Sequence, residues 1–478
     1  MIAVAVLAGC SSPIGSYQAN DYDAAPAYGD IAQQSIAYEG VKRNPVIMIH
    51  GFLGAKLKDT RTGNPVWGTF YAMESQNLTP ELLQGLSCKM VYGKPLPEIK
   101  DTTAPDGVLD KVNVKVMGME FQLDAYDGLR QQLVNGGYVL RYRPLPPGKH
   151  FYTLFDYYYD WRYDLAWNAA QLHAFILRKR AYLQKEYETC YGVKNYDVQF
   201  DLIGHSMGGL LTRYYLMYGN QPLPADGSLP VLDWRGSRYV DKAVIVATPN
   251  AGYLDTFWEM LNGLRLQPGA PLYPPGVIGT FHTYYQMLPP LYTRSVLYAD
   301  DQNGQPVDIF NPEIWRKYHW GLADPEQDEY YKMLLPDVKT REERYKIALD
   351  HQAKCLLRAK QFIRAMYVKT EPPADVSMVL FAGDAFPTRR EILIDRQTGS
   401  IVKVTYAPGD GKVLSSSARC DLREGQPWHP FLSSPIRWNS VMYLPAAHMG
   451  ITESPVFADN LLYFLQVTPT KAQERQTP

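Results

Sequence analysis

The chain has 478 residues, of which 46% are apolar, and its formal charge at pH 7 is -1. Acidic and basic residues nearly balance and neither forms a long run, which excludes an electrostatic case for nucleic acid as a partner. The length and apolar content predict a globular protein, either one large domain or a core that carries a cap.

The N-terminal residues form an apolar run that ends at Leu7-Ala8-Gly9-Cys10 and then turns polar. This pattern resembles a bacterial lipoprotein signal, in which the preceding segment is removed and the cysteine is lipidated. The resemblance implies a lipid anchor on Cys10, contact with a membrane surface and export to the bacterial cell envelope, with the outer membrane or periplasm favoured. The alternative is an apolar N-terminus that frays. The run is too short for a membrane-spanning helix.

The other four cysteines are widely spaced and form no C-x-x-C pair: Cys88, Cys190, Cys355 and Cys420. They therefore predict neither a zinc motif nor a redox motif. If the protein is exported, they could form disulfides in any of three pairings, and they could equally be buried thiols.

The first core strand is predicted within Asn44–Gly54, where P-V-I-M-I ends in the turn H-G-F-L-G. Hydrolases that use a serine nucleophile place an oxyanion donor after this strand, so the amide of Phe52 is a candidate donor. His50 is interpreted as structural. The alternative for H-G-F-L-G is an ordinary turn from strand to loop.

In the next part of the chain, a stretch with a weak secondary-structure pattern is followed by stretches with clear helix and strand patterns. Residues 56–123 read as a lid-like insertion with a helix at Pro80–Leu86. A helix at Asp124–Val134 and a strand at Tyr138–Tyr142 follow, and a long amphipathic helix covers Ala166–Glu188. Alternation of strands and helices predicts a parallel sheet with right-handed crossovers.

The central motif is G-H-S-M-G, in which Ser206 stands between a strand at Val198–Ile203 and a helix at Leu210–Tyr218. Glycines two residues before and after the serine leave room for a sharp strand-to-helix turn, which exposes the serine oxygen. We therefore predict that Ser206 is a catalytic nucleophile and that the amide of Met207 faces the oxyanion. The alternative is a surface turn flanked by glycines. The motif in this context is typical of the α/β-hydrolase fold.

After a further strand at Tyr239–Ala247, the chain leaves the sheet for a long segment rich in large apolar side chains. We expect residues 253–370 to form a large helical cap over the active site. The sheet resumes at Val376–Ala382, a hairpin follows, and Ser440–Leu444 is the last core strand.

A serine nucleophile needs a histidine base and an acid that orients the base. His448 follows the last strand directly, so it is favoured over His429, which lies in a Pro-flanked loop. For the acid, Asp384 follows a core strand and Asp410 lies in the next Gly-rich turn. The residues alone leave both open.

Five motifs together resemble the lecithin:cholesterol acyltransferase and lysosomal phospholipase A2 family, in the same order and over most of 45–465: P-V-I-M-I-H-G-F-L-G-A-K-L, Y-D-W-R, I-G-H-S-M-G-G, A-T-P-N-A-G and G-D-G-K-V. In that family the acid lies in the turn that matches Gly409–Val413, which implies Asp410. The resemblance also implies that Trp161 touches an acyl chain, although core packing explains it equally well. This chain departs from the family at His50, at Phe52 and at Lys412, and it lacks the family's small disulfide-closed lid.

The sequence thus predicts an α/β-hydrolase-fold enzyme with a mainly parallel sheet, helices on its faces and a large helical cap. We expect a serine-dependent lipid acyl hydrolase or O-acyltransferase that acts on a phospholipid or another lipid ester, without a metal or cofactor. The alternatives are an inactive lipid- or envelope-binding protein with the same fold, and a serine amidase or peptidase. The predicted segments are a signal (1–10), a polar linker (11–40), a first core part (41–252), the cap (253–370), a second core part (371–467) and a disordered tail (468–478).

Overall fold

The computed structural model describes residues 35–68, 78–109, 111–116, 119–124, 126–266, 270–426 and 429–471. Cys10, the signal segment and most of the predicted linker lie outside these residues, as does most of the predicted tail.

Strands and helices are labelled separately in chain order. The strands are β1 (Val46–Ile49), β2 (Ala55–Asp59), β3 (Pro65–Trp67), β4 (Thr103–Val108), β5 (Lys111–Val116), β6 (Met119–Asp124), β7 (Leu154–Tyr157), β8 (Phe200–His205), β9 (Val240–Val246), β10 (Val296–Tyr298), β11 (Ser377–Gly383), β12 (Phe386–Ile394), β13 (Ile401–Gly409), β14 (Leu422–Gln426), β15 (His429–Ser433) and β16 (Ser440–Leu444).

The helices are α1 (Pro80–Leu86), α2 (Asp127–Asn135), α3 (Leu165–Tyr191), α4 (Met207–Tyr218), α5 (Leu254–Asn262), α6 (Pro275–Ile278), α7 (His282–Gln286), α8 (Pro312–Tyr318), α9 (Asp328–Leu334), α10 (Arg341–Met366), α11 (Ser415–Arg419) and α12 (Pro455–Gln466). Among the described residues, no helix is long and apolar enough to cross a membrane.

The central sheet has six strands in the order β16-β11-β9-β8-β1-β7, and every neighbouring pair is parallel. Its inner strands are almost completely buried because both of their faces are covered. The carboxyl ends of β1, β8 and β9 lie in register, with Ile49 beside Gly204 and Gly204 beside Ile245. This end of the sheet therefore brings together the loops that follow three core strands.

Two separate apolar clusters cover the two faces of the sheet. Ile47 and Ile49 of β1 point into the cluster that includes α3 and α4, while Val46 and Met48 point into the cluster that includes α2 and α12. Alternate side chains of a strand point to opposite faces, so helices pack on both sides. The predicted α/β-hydrolase architecture, a parallel sheet between helices, is confirmed.

In its described residues, the segment from 253 to 370 contains the α-helices α5 to α10, three short 3-10 helices and one short strand, β10. Its last helix, α10, ends at Met366, and its buried side chains include Cys355, Leu356 and Phe362. The chain then enters β11 of the central sheet. The boundaries of the predicted cap, and its role as a cover for the site, remain predictions.

The predicted strand at Tyr138–Tyr142 was wrong. Only an isolated bridge joins Leu140 to Leu154, and the chain turns immediately afterwards. The prolines of the following R-P-L-P-P-G stretch cannot donate to a ladder, and β7 occupies the sheet edge instead.

The four cysteines in the described part of the chain are free thiols: Cys88, Cys190, Cys355 and Cys420. Three of them are buried and Cys190 is half-buried. Of the arrangements that the sequence leaves open, the structure shows unpaired thiols.

Candidate active site

Ser206 lies on the turn between β8 and α4, at the carboxyl end of the central sheet. Its backbone has φ 55° and ψ -127°, a conformation that side chains other than glycine rarely adopt. Its amide donates to the carbonyl of Val246 on β9 at 2.7 Å, which ties the turn to the neighbouring strand. Strain of this kind costs about 1–3 kcal/mol and persists because the surrounding packing fixes it.

The two glycines that flank Ser206 leave no room for a side chain. A Cβ atom at Gly204 would lie 2.6 Å from Thr212 Oγ1 and 2.8 Å from the carbonyl oxygen of Gly208. A Cβ atom at Gly208 would collide with the carbonyls of Ile49 and His50. The two glycines are therefore needed for the steric reason predicted from the sequence: the turn, α4 and β1 approach too closely for any larger residue.

The structure brings Ser206, His448 and Asp410 together, although they lie far apart in the sequence. His448 Nε2 is 2.9 Å from Ser206 Oγ, and His448 Nδ1 is 2.8 Å from Asp410 Oδ2. A carboxylate only accepts, so Nδ1 carries the proton and Nε2 is left to accept the serine hydroxyl proton. The His448 amide also donates to the Asp410 carbonyl at 2.9 Å.

Asp410 is held as a carboxylate. Burial alone would raise its pKa, but His448 and the amides of Val413 and Lys412 lower it below its ordinary value. Those amides donate to Oδ1 at 2.6 Å and 2.9 Å, while Oδ2 faces the histidine. The aspartate is therefore oriented by its own turn and presents one oxygen to His448.

The alternative acid and base lie elsewhere. Asp384 is exposed just after β11, and among the described residues the carboxylate that contacts His448 is Asp410. His429 lies on β15, where it pairs with Gln426 of β14. The prediction that His429 lies in a loop was therefore wrong. Its side chain lies outside the described part of the structure.

The predicted oxyanion donors lie beside Ser206. A Cβ atom at Gly51 would be 2.7 Å from Ser206 Cβ and 3.2 Å from Ser206 Oγ, so the turn after β1 is in contact with Ser206. Phe52 follows in this turn, and Met207 is the first residue of α4. Among the described residues, neither amide has an acceptor. The turn that carries Phe52 and the first residue of α4 thus both lie beside the serine, where an oxyanion site requires donors.

His50 fixes the orientation of the Gly51–Phe52 peptide. Its Nδ1 lies 2.7 Å from the Gly51 carbonyl, and its Nε2 lies 3.2 Å from the Tyr159 amide. Since a carbonyl accepts and an amide donates, His50 is neutral with the proton on Nδ1. Burial lowers its pKa to about 4. In a trans peptide the N–H of Phe52 points away from the carbonyl that His50 holds.

A second buried histidine links this turn to the loop of His448. The Gly51 amide donates to Tyr126 Oη at 2.7 Å, and Tyr126 Oη lies 3.0 Å from His205 Nδ1. His205 Nε2 lies 3.3 Å from the carbonyl of His448. Burial and the nearby His448 lower the pKa of His205 to about 3, so it stays neutral. The sequence gives no signal for Tyr126, and it shows His205 only as the variable residue of the serine motif.

Trp161 is fully buried next to the Phe52 turn. Its indole nitrogen donates to the carbonyl of Ala55 at 3.0 Å, and its ring packs edge-on against Phe52, Trp67 and Phe281 at 4.9 to 5.6 Å. These contacts are those of a core residue that supports the turn. Contact between Trp161 and an acyl chain stays a prediction.

Comparison with known proteins indicates which class of enzyme this site resembles. Residues 124–297 match the model of the lecithin:cholesterol acyltransferase family. The resemblance predicted from the motifs is thereby confirmed over a stretch that contains Trp161 and Ser206. The Phe52 turn, Asp410 and His448 lie outside that stretch. The match supports an enzyme that hydrolyses lipid esters or transfers their acyl groups.

Solved structures resemble the chain at low sequence identity. A chain of the Tle4–Tli4 complex is 13% identical, with 89% of this chain and 98% of that one covered and a TM-score of 0.49. EstA from Clostridium botulinum is 13% identical, with 92% and 91% covered and a TM-score of 0.34. Phospholipase PlaB from Legionella pneumophila is 12% identical, with 74% and 58% covered and a TM-score of 0.35. A search of curated protein sequences gives no match.

Proposed function

We propose that this protein is a serine-dependent lipid acyl hydrolase or O-acyltransferase that works through an acyl-enzyme on Ser206. The observation that carries the proposal is the unbroken chain of hydrogen bonds from Ser206 Oγ to His448 and from His448 to Asp410. A serine hydroxyl at its ordinary pKa is a weak nucleophile, and this chain supplies the base and the group that orients the base.

In the first half of the reaction, Ser206 Oγ forms a bond to the ester carbonyl carbon while its proton passes to His448 Nε2. The amides of Phe52 and Met207 donate to the carbonyl oxygen as it becomes negative, and each such donor typically contributes a few kcal/mol. When the tetrahedral intermediate collapses, the carbon–oxygen bond of the leaving alcohol breaks. His448 returns the proton to that alcohol.

In the second half, an acceptor hydroxyl attacks the acyl-Ser206 ester. His448 takes the proton of the acceptor and then gives it to the departing Ser206 oxygen. Water as the acceptor makes the enzyme a lipase or phospholipase, and an alcohol makes it an acyltransferase. Asp410 stays ionised throughout and stabilises the imidazolium in both halves.

The Asp410 turn is tied to α5 through a residue at which this chain departs from the family. Lys412 Nζ lies 3.7 Å from Asp255, which Arg389 also contacts at 2.7 Å. This ion pair is made by a lysine at the position where the resemblance implies a neutral threonine. It leaves the Asp410 carboxylate free for His448, because Lys412 bonds to it only through its backbone.

The cellular setting is part of the proposal. Lipidation of Cys10 would hold the enzyme at a membrane surface, where lipid esters are concentrated. A lipid anchor in the bacterial envelope therefore fits a lipid-ester substrate.

The proposal is tested by labelling with a fluorophosphonate, alongside acyl release from phospholipid vesicles with and without an added alcohol. We expect Ser206→Ala to abolish labelling, and His448→Ala and Asp410→Asn to lower both rates by roughly 10³-fold or more. Asp384→Asn is the matched control and should leave both rates within about twofold. The acyl products with and without alcohol identify the acceptor.

Two outcomes would contradict the proposal. A folded wild-type protein that does not react with the probe would point to an inactive lipid-binding protein with a hydrolase fold. Cleavage of peptide or amide substrates in preference to the vesicles would point to an amidase.

A further inference from the structure

A second cluster of reactive side chains lies in the packed core, apart from Ser206. His282 belongs to α7, while His351 and Cys355 stand four residues apart on α10 and so share one face of that helix. All three are buried, with 3%, 0% and 1% of their surface exposed. One potential ligand atom from each lies within 4.8 Å of the other two.

Both histidines present a buried nitrogen that has no partner among the described residues. These atoms are His282 Nδ1 and His351 Nδ1. The tautomer of His351 follows from its other nitrogen, since Nε2 lies 3.0 Å from the carbonyl of Thr280 and must donate to it. His351 Nδ1 therefore carries an unshared lone pair.

An unsatisfied polar atom in a protein core costs about 1–3 kcal/mol, so one such atom on each of two neighbouring histidines indicates a missing partner. Histidine ligands of metals commonly donate their second N–H to a backbone carbonyl, as His351 does to Thr280. The third group is a thiol, which is a ligand that zinc prefers together with imidazole. Oxygen-seeking cations such as calcium or magnesium do not fit this set.

We propose that His282, His351 and Cys355 bind a zinc ion. Binding would release the thiol proton of Cys355 to solvent and form a zinc–thiolate bond. Ligand atoms around tetrahedral zinc are about 3.3–3.8 Å apart, so from separations of at most 4.8 Å the three would move together by no more than about 1.5 Å. Water would supply the fourth ligand, since His282 lines a cavity of about 300 Å³.

The basic side chains around the cluster are all in ion pairs. Burial first, and then His351, Arg162, Arg358 and Lys354, lower the pKa of His282 and so disfavour a positive charge there. Each of the three basic residues is paired: Arg162 with Asp160 and Asp101, Lys354 with Asp350, and Arg358 with Asp164. The Cys355 thiolate would place a negative charge directly against the metal ion.

Zinc here would be structural and would join α7 to α10. Phe281, directly before α7, packs against Trp161, and Thr283 Oγ1 donates to the carbonyl of Trp161 at 2.7 Å. Trp161 in turn supports the Phe52 turn beside Ser206. The ion would therefore fasten the packing behind the candidate oxyanion donors without taking part in the reaction.

The test uses the tag-free full chain, purified under reducing conditions, stripped with a chelator and titrated with zinc. We expect one equivalent of zinc by elemental analysis and a higher midpoint of thermal unfolding when it is bound. Cobalt in place of zinc should give the absorption of a tetrahedral, thiolate-bound ion. Fluorophosphonate-labelled protein should bind the same equivalent, which separates this site from Ser206 and His448.

Cys355→Ser and His282→Gln should each weaken zinc binding by at least 10-fold. Cys190→Ser, which removes a thiol outside the cluster, is the control and should bind as the wild type does. The proposal is overturned if the stripped wild type takes up no zinc, or if the cobalt spectrum lacks a thiolate band. These two measurements need no variant, so a misfolded mutant cannot obscure the result. Equal binding by wild type and Cys355→Ser would also overturn it.

Discussion

At the scale of single residues, the candidate site depends on two histidines that never need to change charge. His50 holds the carbonyl of Gly51, and His205 holds the carbonyl of His448. Burial keeps both neutral, so each has one donor and one acceptor nitrogen and can distinguish an amide from a carbonyl. These fixed tautomers hold the two loops beside Ser206 in place, while in the proposed mechanism His448 alone exchanges protons.

Tyr126 connects these loops, and its hydroxyl can be removed on its own. In Tyr126→Phe the Gly51 amide and His205 lose their shared partner, so the Phe52 turn should shift relative to Ser206. We expect kcat for ester hydrolysis to fall roughly 10-fold, about 1.4 kcal/mol, with KM within twofold, because the loss falls on the transition state.

The control is Tyr331→Phe, which removes another buried hydroxyl, one that donates to Leu322 at 2.9 Å. Both variants should lose a similar amount of stability, but only Tyr126→Phe should lose turnover. A similar fall in kcat for both would show that Tyr126 acts through general packing and not through the two loops.

At the scale of elements, Arg162 joins the end of α1 to the core. It is fully buried, contacts Asp160 and Asp101 at 2.6 and 3.0 Å, and donates to the carbonyls of Gly85 and Leu86. Those carbonyls end α1 and have no partner within the helix, so a cation there is favourable. One side chain thus links the early insertion to the sheet.

Arg162→Met should therefore be strongly destabilising. It would leave two carboxylates and the end of α1 without their partner in a dry interior, a change that typically costs 3–5 kcal/mol. Arg180→Met is the matched control, since Arg180 pairs at the surface with Asp197, whose side chain is 61% exposed, and it should cost less than about 1 kcal/mol. Chemical denaturation followed by circular dichroism measures both. Similar small losses would contradict the buried role.

The elements that the sequence predicts well are those specified by neighbouring residues. Helix α1 has the predicted bounds because Thr79 caps it and Pro80 begins it, and β16 matches because its apolar run stands between turns. Helix α4 begins three residues earlier than predicted. Gly208 and Gly209 are poor helix formers, but their close packing against β1 and Thr248 decides the conformation.

The parts that the sequence does not predict depend on contacts between distant residues. Tyr126 meets His205 across 79 positions, and His282 meets His351 from another helix. No local periodicity marks such pairs, since each residue alone reads as an ordinary core side chain. The order of Ser206, Asp410 and His448 was predictable because a recurring fold fixes it, whereas the shell that supports them was not.

At the scale of the whole molecule, stability should depend on pH through the groups that the fold buries. His50 and His205 keep lower pKa values than in an unfolded chain, so each lowers the free energy of unfolding as pH falls below about 6.5. Glu259 acts in the other direction. Burial, offset in part by Lys412, raises its pKa to about 7. The unfolded chain therefore loses this proton at lower pH than the folded protein does.

Glu259 gives this dependence a direct test. Its carboxyl group lies on α5, 8% exposed, and accepts from Tyr284 Oη at 2.8 Å. Between its unfolded pKa of about 4.5 and its folded pKa of about 7, the folded state binds the extra proton, so stability falls as pH rises, by up to about 3 kcal/mol in all.

Glu259→Gln keeps the shape and the acceptor but cannot ionise. Relative to wild type, the variant should be about as stable at pH 4.5 and more stable by about 2–3 kcal/mol at pH 8, measured by chemical denaturation at each pH. Glu98→Gln, at an exposed site, should show no such trend. A constant difference between Glu259→Gln and wild type across this range would mean that Glu259 is already ionised in the folded protein near pH 5.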